Sequence, residues 1–299
     1  MHLRTITWNV NGRRNVARQL AMMDHLGWDV ALLQEVRPAG FPTFRDHHGV
    51  TGADHALRHR PDRDEPWACA LLVREPFELV SCAPIANLPS PERSLCALIR
   101  HGSITFEVAS LALPPASSGW KQLKAVQADI FADRWASRTH PLVAGLDRNS
   151  PFIDHPDLNQ AVWFWEAEER LFGHTPKHDL RDVLRTHLDA NPTKRRRLLR
   201  ERPEGPLATS FMRGKGRGDT PARYDAIYAS PEWRVLDVAY PWQASLEAGS
   251  DNGAVWAHLE LDPNASPRPA GKDDFEPQGE AAREQRRVKG ATRRRKYPR

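Results

Sequence analysis

Five short blocks of this 299-residue chain put carboxylates or amides where an extended segment starts or ends. They are Thr7-Trp8-Asn9-Val10-Asn11-Gly12, Leu32-Leu33-Gln34-Glu35-Val36, Gly145-Leu146-Asp147-Arg148-Asn149-Ser150, Arg223-Tyr224-Asp225-Ala226-Ile227 and Ser250-Asp251-Asn252-Gly253-Ala254-Val255. Residues two apart leave a strand on the same side, so Asn9 with Asn11, and Asp147 with Asn149, can each face one site. Asn before Gly is also an ordinary turn signal, and alone the first block says little more than that. Glu35 follows a buried run directly. A carboxylate there is costly unless it meets water, a partner or a cation, and Mg²⁺ favours one or two such groups plus several waters. An ordinary strand-terminal glutamate is the other use of such a residue.

The elements that must position these blocks are readable from hydrophobic period. His2 to Trp8 reads as a strand, Val16 to Leu26 as an amphipathic helix and Asp29 to Gln34 as a buried strand, a β-α-β opening. Strands follow at Trp67 to Val73, Phe77 to Cys82, Ser94 to Arg100 and Ile104 to Leu113, with connections short enough for antiparallel pairing. Ser117 or Ser118 would cap a helix to about Ser137, whose face of Trp120, Leu123, Val126, Gln127, Ile130, Phe131 and Trp135 packs on a sheet. Pro141 to Gly145 then delivers Asp147 and Asn149 to a loop, and strands near Tyr224 to Ala229, Trp233 to Tyr240 and Ala254 to Leu261 close the body. Two batches of strands interleaved with helices predict a four-layer α/β sandwich of two mixed, mainly antiparallel sheets flanked by helices.

In their order and wide spacing the five blocks resemble the endonuclease/exonuclease/phosphatase superfamily, the deoxyribonuclease I-like fold, over residues 1 to about 262. The resemblance implies a divalent-metal-dependent phosphoesterase that attacks phosphorus in line with water, with Mg²⁺ or Mn²⁺ as cofactor. It implies that Glu35 binds the metal with help from Asn11, that Asp251 lies near it, and that Asn9 helps order the site. Asp147 and Asn149 match the pair that orients the water and contacts the phosphate. Asp225 matches the carboxylate that orients a histidine.

That histidine is replaced by Asn252, which can donate a hydrogen bond to phosphate but cannot become cationic near neutral pH. A second histidine or tyrosine of the pattern falls at or beside Ala112, where no titratable side chain stands. Losing one acid-base group removes about 10²- to 10⁴-fold in rate. The alternative reading is therefore a catalytically weakened nucleic-acid-binding protein on the same fold. His155, His174 and His178 are the histidines that could stand in.

The charge of +5 is uneven: residues 263–299 carry 11 Lys or Arg against 5 Asp or Glu, leaving residues 1–262 close to neutral. With few apolar residues to bury, that tail is expected to be disordered, and the division predicted is a body of residues 1–262 and a basic tail of 263–299. Segments 194–202 and 283–299 are basic enough to grip a nucleic-acid backbone, although a solvated face explains the first equally well. The tryptophans Trp120, Trp163, Trp165 and Trp242 are assigned mainly to packing rather than to base stacking. Three cysteines in strand-like runs (Cys69, Cys82 and Cys96), no charged-then-apolar leader and no apolar run near the roughly 20 residues of a membrane span predict a soluble cytoplasmic protein with buried thiols.

Overall fold

The structure is a computed structural model describing residues 1–12, 15–60, 62, 65–116, 119–214 and 219–262. The chain opens with β1 (His2–Asn9), α1 (Val16–Leu26) and β2 (Val30–Val36), followed by α2 (Phe41–Arg45), β3 (Val50–His55), β4 (Ala68–Arg74) and β5 (Glu78–Ala83). Then come β6 (Ser94–His101), β7 (Ile104–Ala112), α3 (Lys121–Ala136), β8 (Leu142–Asp147), α4 (Glu166–Phe172), β9 (Arg181–Asp182), α5 (Val183–Ala190) and α6 (Pro192–Glu201). The remainder is β10 (Phe211–Arg213), β11 (Thr220–Ala222), β12 (Asp225–Ala229), β13 (Trp233–Ala239), α7 (Trp242–Glu247) and β14 (Val255–Leu261).

Two six-stranded sheets result, in the orders β13-β14-β1-β2-β4-β3 and β5-β6-β7-β8-β12-β9, with β10-β11 as a separate ribbon. Each large sheet holds one parallel pair, β1 with β2 and β7 with β8, and all its other pairs are antiparallel. A parallel pair needs a crossover, and α1 and α3 supply one to each sheet. β1 and β2 are buried on both faces over most of their length, which is why they read as near-continuous apolar runs.

Leu32, Leu71 and Leu259 of the first sheet meet Ile99, Phe106, Val143 and Ile227 of the second in the central core. Ile6, Leu33 and Leu72 pack outward against Val16, Leu20 and Met23 of α1, and Leu111, Ala144 and Tyr228 pack outward against Phe131 and Trp135 of α3. Helix, sheet, sheet and helix form the four layers expected. The two sheets approach closely at Gly145. A Cβ there would fall 2.5 Å from Thr7 and 2.9 Å from Leu32, so only glycine lets β8 approach β1 and β2. Beside it Gln34 donates to Thr7 Oγ1 and Ser110 Oγ, both at 3.0 Å, and Ser110 donates to Leu33 O at 2.7 Å, a satisfied buried network that pins one sheet against the other.

Predicted strands lie within a residue or two of the observed ones, and α1 has the predicted limits. Helix α3 is rotated from expectation: its buried face runs through Lys124, Gln127, Ala128, Phe131, Ala132 and Trp135, while Trp120 and Val126 are exposed. The proposed caps Ser117 and Ser118 lie outside the described residues, as does the segment 263–299. Cys69 is buried but Cys82 and Cys96 only partly so, and all three are free thiols. No helix among the described residues is long and apolar enough to cross a membrane.

Candidate active site

The carboxyl ends of the two parallel pairs meet at one edge of the sandwich, and the chemistry-bearing blocks meet there too. β1 ends at Asn9 and β2 near Glu35 in one sheet, while β7 ends at Ala112, paired with Asp147 of β8, in the other. Between them lies a cleft of about 310 Å³ lined by Asn9, Asn11, Glu35, Asp147, Asn149, Asp251 and Asn252, together with Trp67, Arg93, Pro115, Trp120 and Phe211. Larger depressions occur elsewhere on the molecule, but none gathers this set of amides and acids.

Local backbone geometry turns these side chains inward. The pairing of β2 with β4 shifts between Leu33 and Val36, which releases Glu35 from the ladder. Glu35, Asn11 and Asn149 adopt φ of 53°, 53° and 49°, left-handed values that cost a non-glycine residue of order 1 kcal/mol each. Among the described non-glycine residues only Asn87 shares this conformation, so backbone strain is concentrated at the cleft.

Asn9 is the hub. Its Oδ1 accepts from the Asn11 backbone N–H at 2.8 Å and its Nδ2 donates to Asp147 Oδ2 at 2.9 Å. Asn149 donates to Asp147 twice, through its backbone N–H and its Nδ2, both at 3.1 Å, and to Leu113 O at 3.0 Å. Asp147 thus receives donors from both sheets. Arg148, between the two, turns the other way, and its buried guanidinium reaches Tyr224 O, Arg223 O and Tyr228 Oη.

Asn252 is held from several sides. Its Nδ2 donates to Asp225 Oδ2 at 3.1 Å, while Ser210 Oγ accepts the Asp225 N–H at 2.9 Å. Trp8 Nε1 donates to Asn252 O, and Ser250 Oγ takes the Asn252 N–H while donating to Asn9 O. Asp225 itself is fully buried behind Asn252 rather than lining the cleft.

Glu35, Asp147 and Asp225 resist ionisation. Burial, then the charge of Asp147, pushes Glu35 up to about 7, against hydrogen bonding from Asn9 and the charge of Arg93. Burial raises Asp147, with the Asn9 and Asn149 hydrogen bonds opposing. Burial, then Asp147, holds Asp225 well above the carboxylate range. Carboxylates whose ionisation is opposed by burial and by a neighbouring acid, in a half-open cleft, suit a divalent cation. Among the described residues no three His, Cys, Asp or Glu side chains form a closed metal cage. Glu35 and Asp251 with Asn11 are hard oxygen donors, and that open set fits Mg²⁺ or Mn²⁺ retaining much of its water.

None of the three candidate histidines reaches this site. His178 is buried against Trp135, its Nε2 near Leu171 O and its Nδ1 accepting from Leu180 N, and burial lowers it to about 4. His155 is engaged with Asp157, and His174 borders other depressions. Ala112 puts a methyl group beside Asp147.

Two contributors were invisible in the sequence. Arg93 ends a short 3-10 turn, Pro91–Arg93, and brings a guanidinium into the cleft over the Trp120 ring at 5.6 Å. Lys124 of α3 donates to Asn149 O at 2.7 Å and pairs with Glu168 at 2.6 Å, with no side-chain exposure on either partner. A proline before an acid and an arginine gives no periodic signal, and a lone lysine in a helix reads as solvated.

Two facing sheets thus gather acids and amides at the carboxyl ends of their paired parallel strands. The sequence profile described as the Endonuclease/Exonuclease/phosphatase family matches residues 6–251, and the chain belongs to that family, whose members are phosphoester hydrolases. No curated protein sequence matches the chain. Its fold is similar to that of TDP2 from D. rerio complexed with single strand DNA product, at 13% identity over 87% of this chain and 99% of that one, TM-score 0.63. It is also similar to the human Nocturnin catalytic domain with bound sulfate, at 15% identity over 87% and 95%, TM-score 0.59. An endonuclease/exonuclease/phosphatase from Bacteroides vulgatus is 15% identical over 88% and 100%, TM-score 0.56.

Proposed function

We propose that the protein is a Mg²⁺- or Mn²⁺-dependent phosphodiesterase acting on nucleic acid. The observation that carries this reading is the convergence of Asn9, Asn11, Glu35, Asp147, Asn149, Asp251 and Asn252 on one cleft from both sheets. Glu35, with Asn11 and Asp251, would hold the cation. When bound, it would neutralise charge growing on the phosphate oxygens and favour the ionised form of Glu35. The remaining steps belong to the chain. Asp147, fixed by Asn9 and Asn149, accepts a hydrogen bond from the attacking water and takes its proton as the oxygen–phosphorus bond forms. Asn252, fixed by Asp225, donates to a phosphate oxygen, and Arg93 adds positive charge opposite the acids.

The ester oxygen leaves with its bonding pair and must find its proton in solvent, since Asn252 and Ala112 cannot give one. Esters with good leaving groups should therefore react fastest. The test is hydrolysis of bis(p-nitrophenyl) phosphate, single-stranded DNA, single-stranded RNA, abasic-site duplex and phosphomonoesters, with Mg²⁺, Mn²⁺ or EDTA, for wild type and Glu35→Ala. Metal-dependent cleavage lost in Glu35→Ala supports the proposal. Absence of turnover on the whole panel from neutral to alkaline pH contradicts it, and favours the second reading suggested by Asn252 and Ala112, a nucleic-acid-binding protein of weakened activity.

A further inference from the structure

Beside the cleft a strip of aromatic rings, four of them with a cation over the face, runs outward over the surface and back. Arg93 lies over Trp120 at 5.6 Å, and the adjacent Lys121 lies over Trp165 at 5.4 Å. Phe164 follows, edge-on to Phe152 at 5.6 Å, and Arg213 lies over Phe152 at 4.8 Å. Phe211, two residues from Arg213, lines the cleft again and stacks on Tyr224 at 5.2 Å. Phe152 stands three residues beyond Asn149, on a loop closed by the bridge between Ile153 and Val162. The outer rings are at the surface: Trp120 is 41% exposed and Phe152 48%, with Ile153 and Val162 also exposed, while Phe164, Trp165 and Phe211 are half-buried and Tyr224 is buried beneath.

We infer that this strip binds single-stranded nucleic acid, its unpaired bases stacking on Trp120 and Phe152 while one backbone phosphate enters the cleft. The inference rests on the phosphodiesterase reading for the phosphate's place and adds the class of substrate. Aromatic faces are sequence-tolerant platforms for bases, and cations between them follow the backbone. A duplex keeps its base faces covered and presents phosphates, which call for dense unpaired charge rather than rings. The dense basic helix α6 does not fill that role at the cleft: none of its residues lines it, and Arg195, Arg197 and Lys194 lie against Asp189, Glu201 and Asp237. The tryptophans assigned to packing therefore divide, with Trp120 a surface platform and Trp163 packed against the core.

The test is fluorescence anisotropy of labelled dT15, rU15 and a blunt 15-base-pair duplex with the full-length protein in EDTA, so that binding is read without turnover. Both single strands should bind at least tenfold more tightly than the duplex. Trp120→Ala and Phe152→Ala should each weaken single-strand binding about five- to a hundredfold, the range of one lost base stack. Lys121→Gln should lower the salt slope by about 0.7. Duplex binding equal to or tighter than single-strand binding, or wild-type affinity in both aromatic variants, overturns the inference even if bis(p-nitrophenyl) phosphate is hydrolysed. Loss of single-strand affinity in those variants upholds it even if no ester is hydrolysed, in which case only the hydrolase reading fails.

Discussion

Two clusters of buried acids lie close together in this molecule and are treated in opposite ways. Asp154 and Asp182 share the guanidinium of Arg223, with contacts of 2.8 and 2.7 Å, and Arg185 adds a further contact to Asp154 at 2.7 Å. Burial alone would raise both acids, but Arg223 and Arg185 hold them below the carboxylate range. Two residues along the chain from Arg223, Asp225 faces the other cluster, where burial pushes Glu35, Asp147 and Asp225 up and the charge of Asp147 pushes Glu35 and Asp225 further. The first cluster is electrostatically complete and can only be damaged. The second is short of positive charge, carries three left-handed non-glycine residues and opens to solvent, the combination expected of a site rather than a scaffold.

The sharpest way to break the contrast is to remove the guanidinium from the complete cluster. Arg223→Met should cost about 3–5 kcal/mol of unfolding free energy in urea denaturation, because two buried carboxylates lose their shared partner. A change below 1 kcal/mol would erase the distinction. The cleft should respond in the opposite sense. Glu35 binds a proton in the folded state up to about pH 7 but only to about 4.5 when unfolded. Its burial cost is therefore absent below pH 4.5, grows between 4.5 and 7, and is full above that. Metal-free Glu35→Gln should be more stable than wild type at pH 8 by up to about 3 kcal/mol, with the gain gone at pH 4. Thermal unfolding across that range checks it.

The smallest effect sharpens the comparison within the cleft. Asn252→His would place an ionisable imidazole on Asp225 and supply the missing charge. Turnover should rise about ten- to a hundredfold on alkyl phosphodiesters, and less on bis(p-nitrophenyl) phosphate, whose leaving group needs little help. An equal gain on both esters would show that leaving-group protonation is not what the asparagine lacks.

The acids of the cleft were legible in the sequence because each sits at the end of a strand or in the loop beside one, and strand ends follow from hydrophobic period. β1, α1 and β2 were legible for the same reason. What escaped depends on partners far away in the chain. β3 carries Gly52, present because a Cβ would fall 2.7 Å from Leu79 Cβ, and its mixed burial lacks a strand's alternation. Lys124 is interior only because Glu168 and the Asn149 carbonyl meet it. Arg93 reaches the cleft from a three-residue turn that no period describes. The helical period puts Trp120 at the start of a buried face, but that face begins at Lys124 and leaves the ring at the rim.

The cation proposed for the cleft is the point on which the reading turns. Calorimetric titration of metal-free protein with Mn²⁺, comparing wild type and Glu35→Gln at pH 8, addresses it without any substrate. One ion should bind wild type, with at least about tenfold weaker binding in the variant, as expected when a charged ligand is lost. No binding to wild type, or equal binding to both proteins, would contradict a metal-dependent site at Glu35.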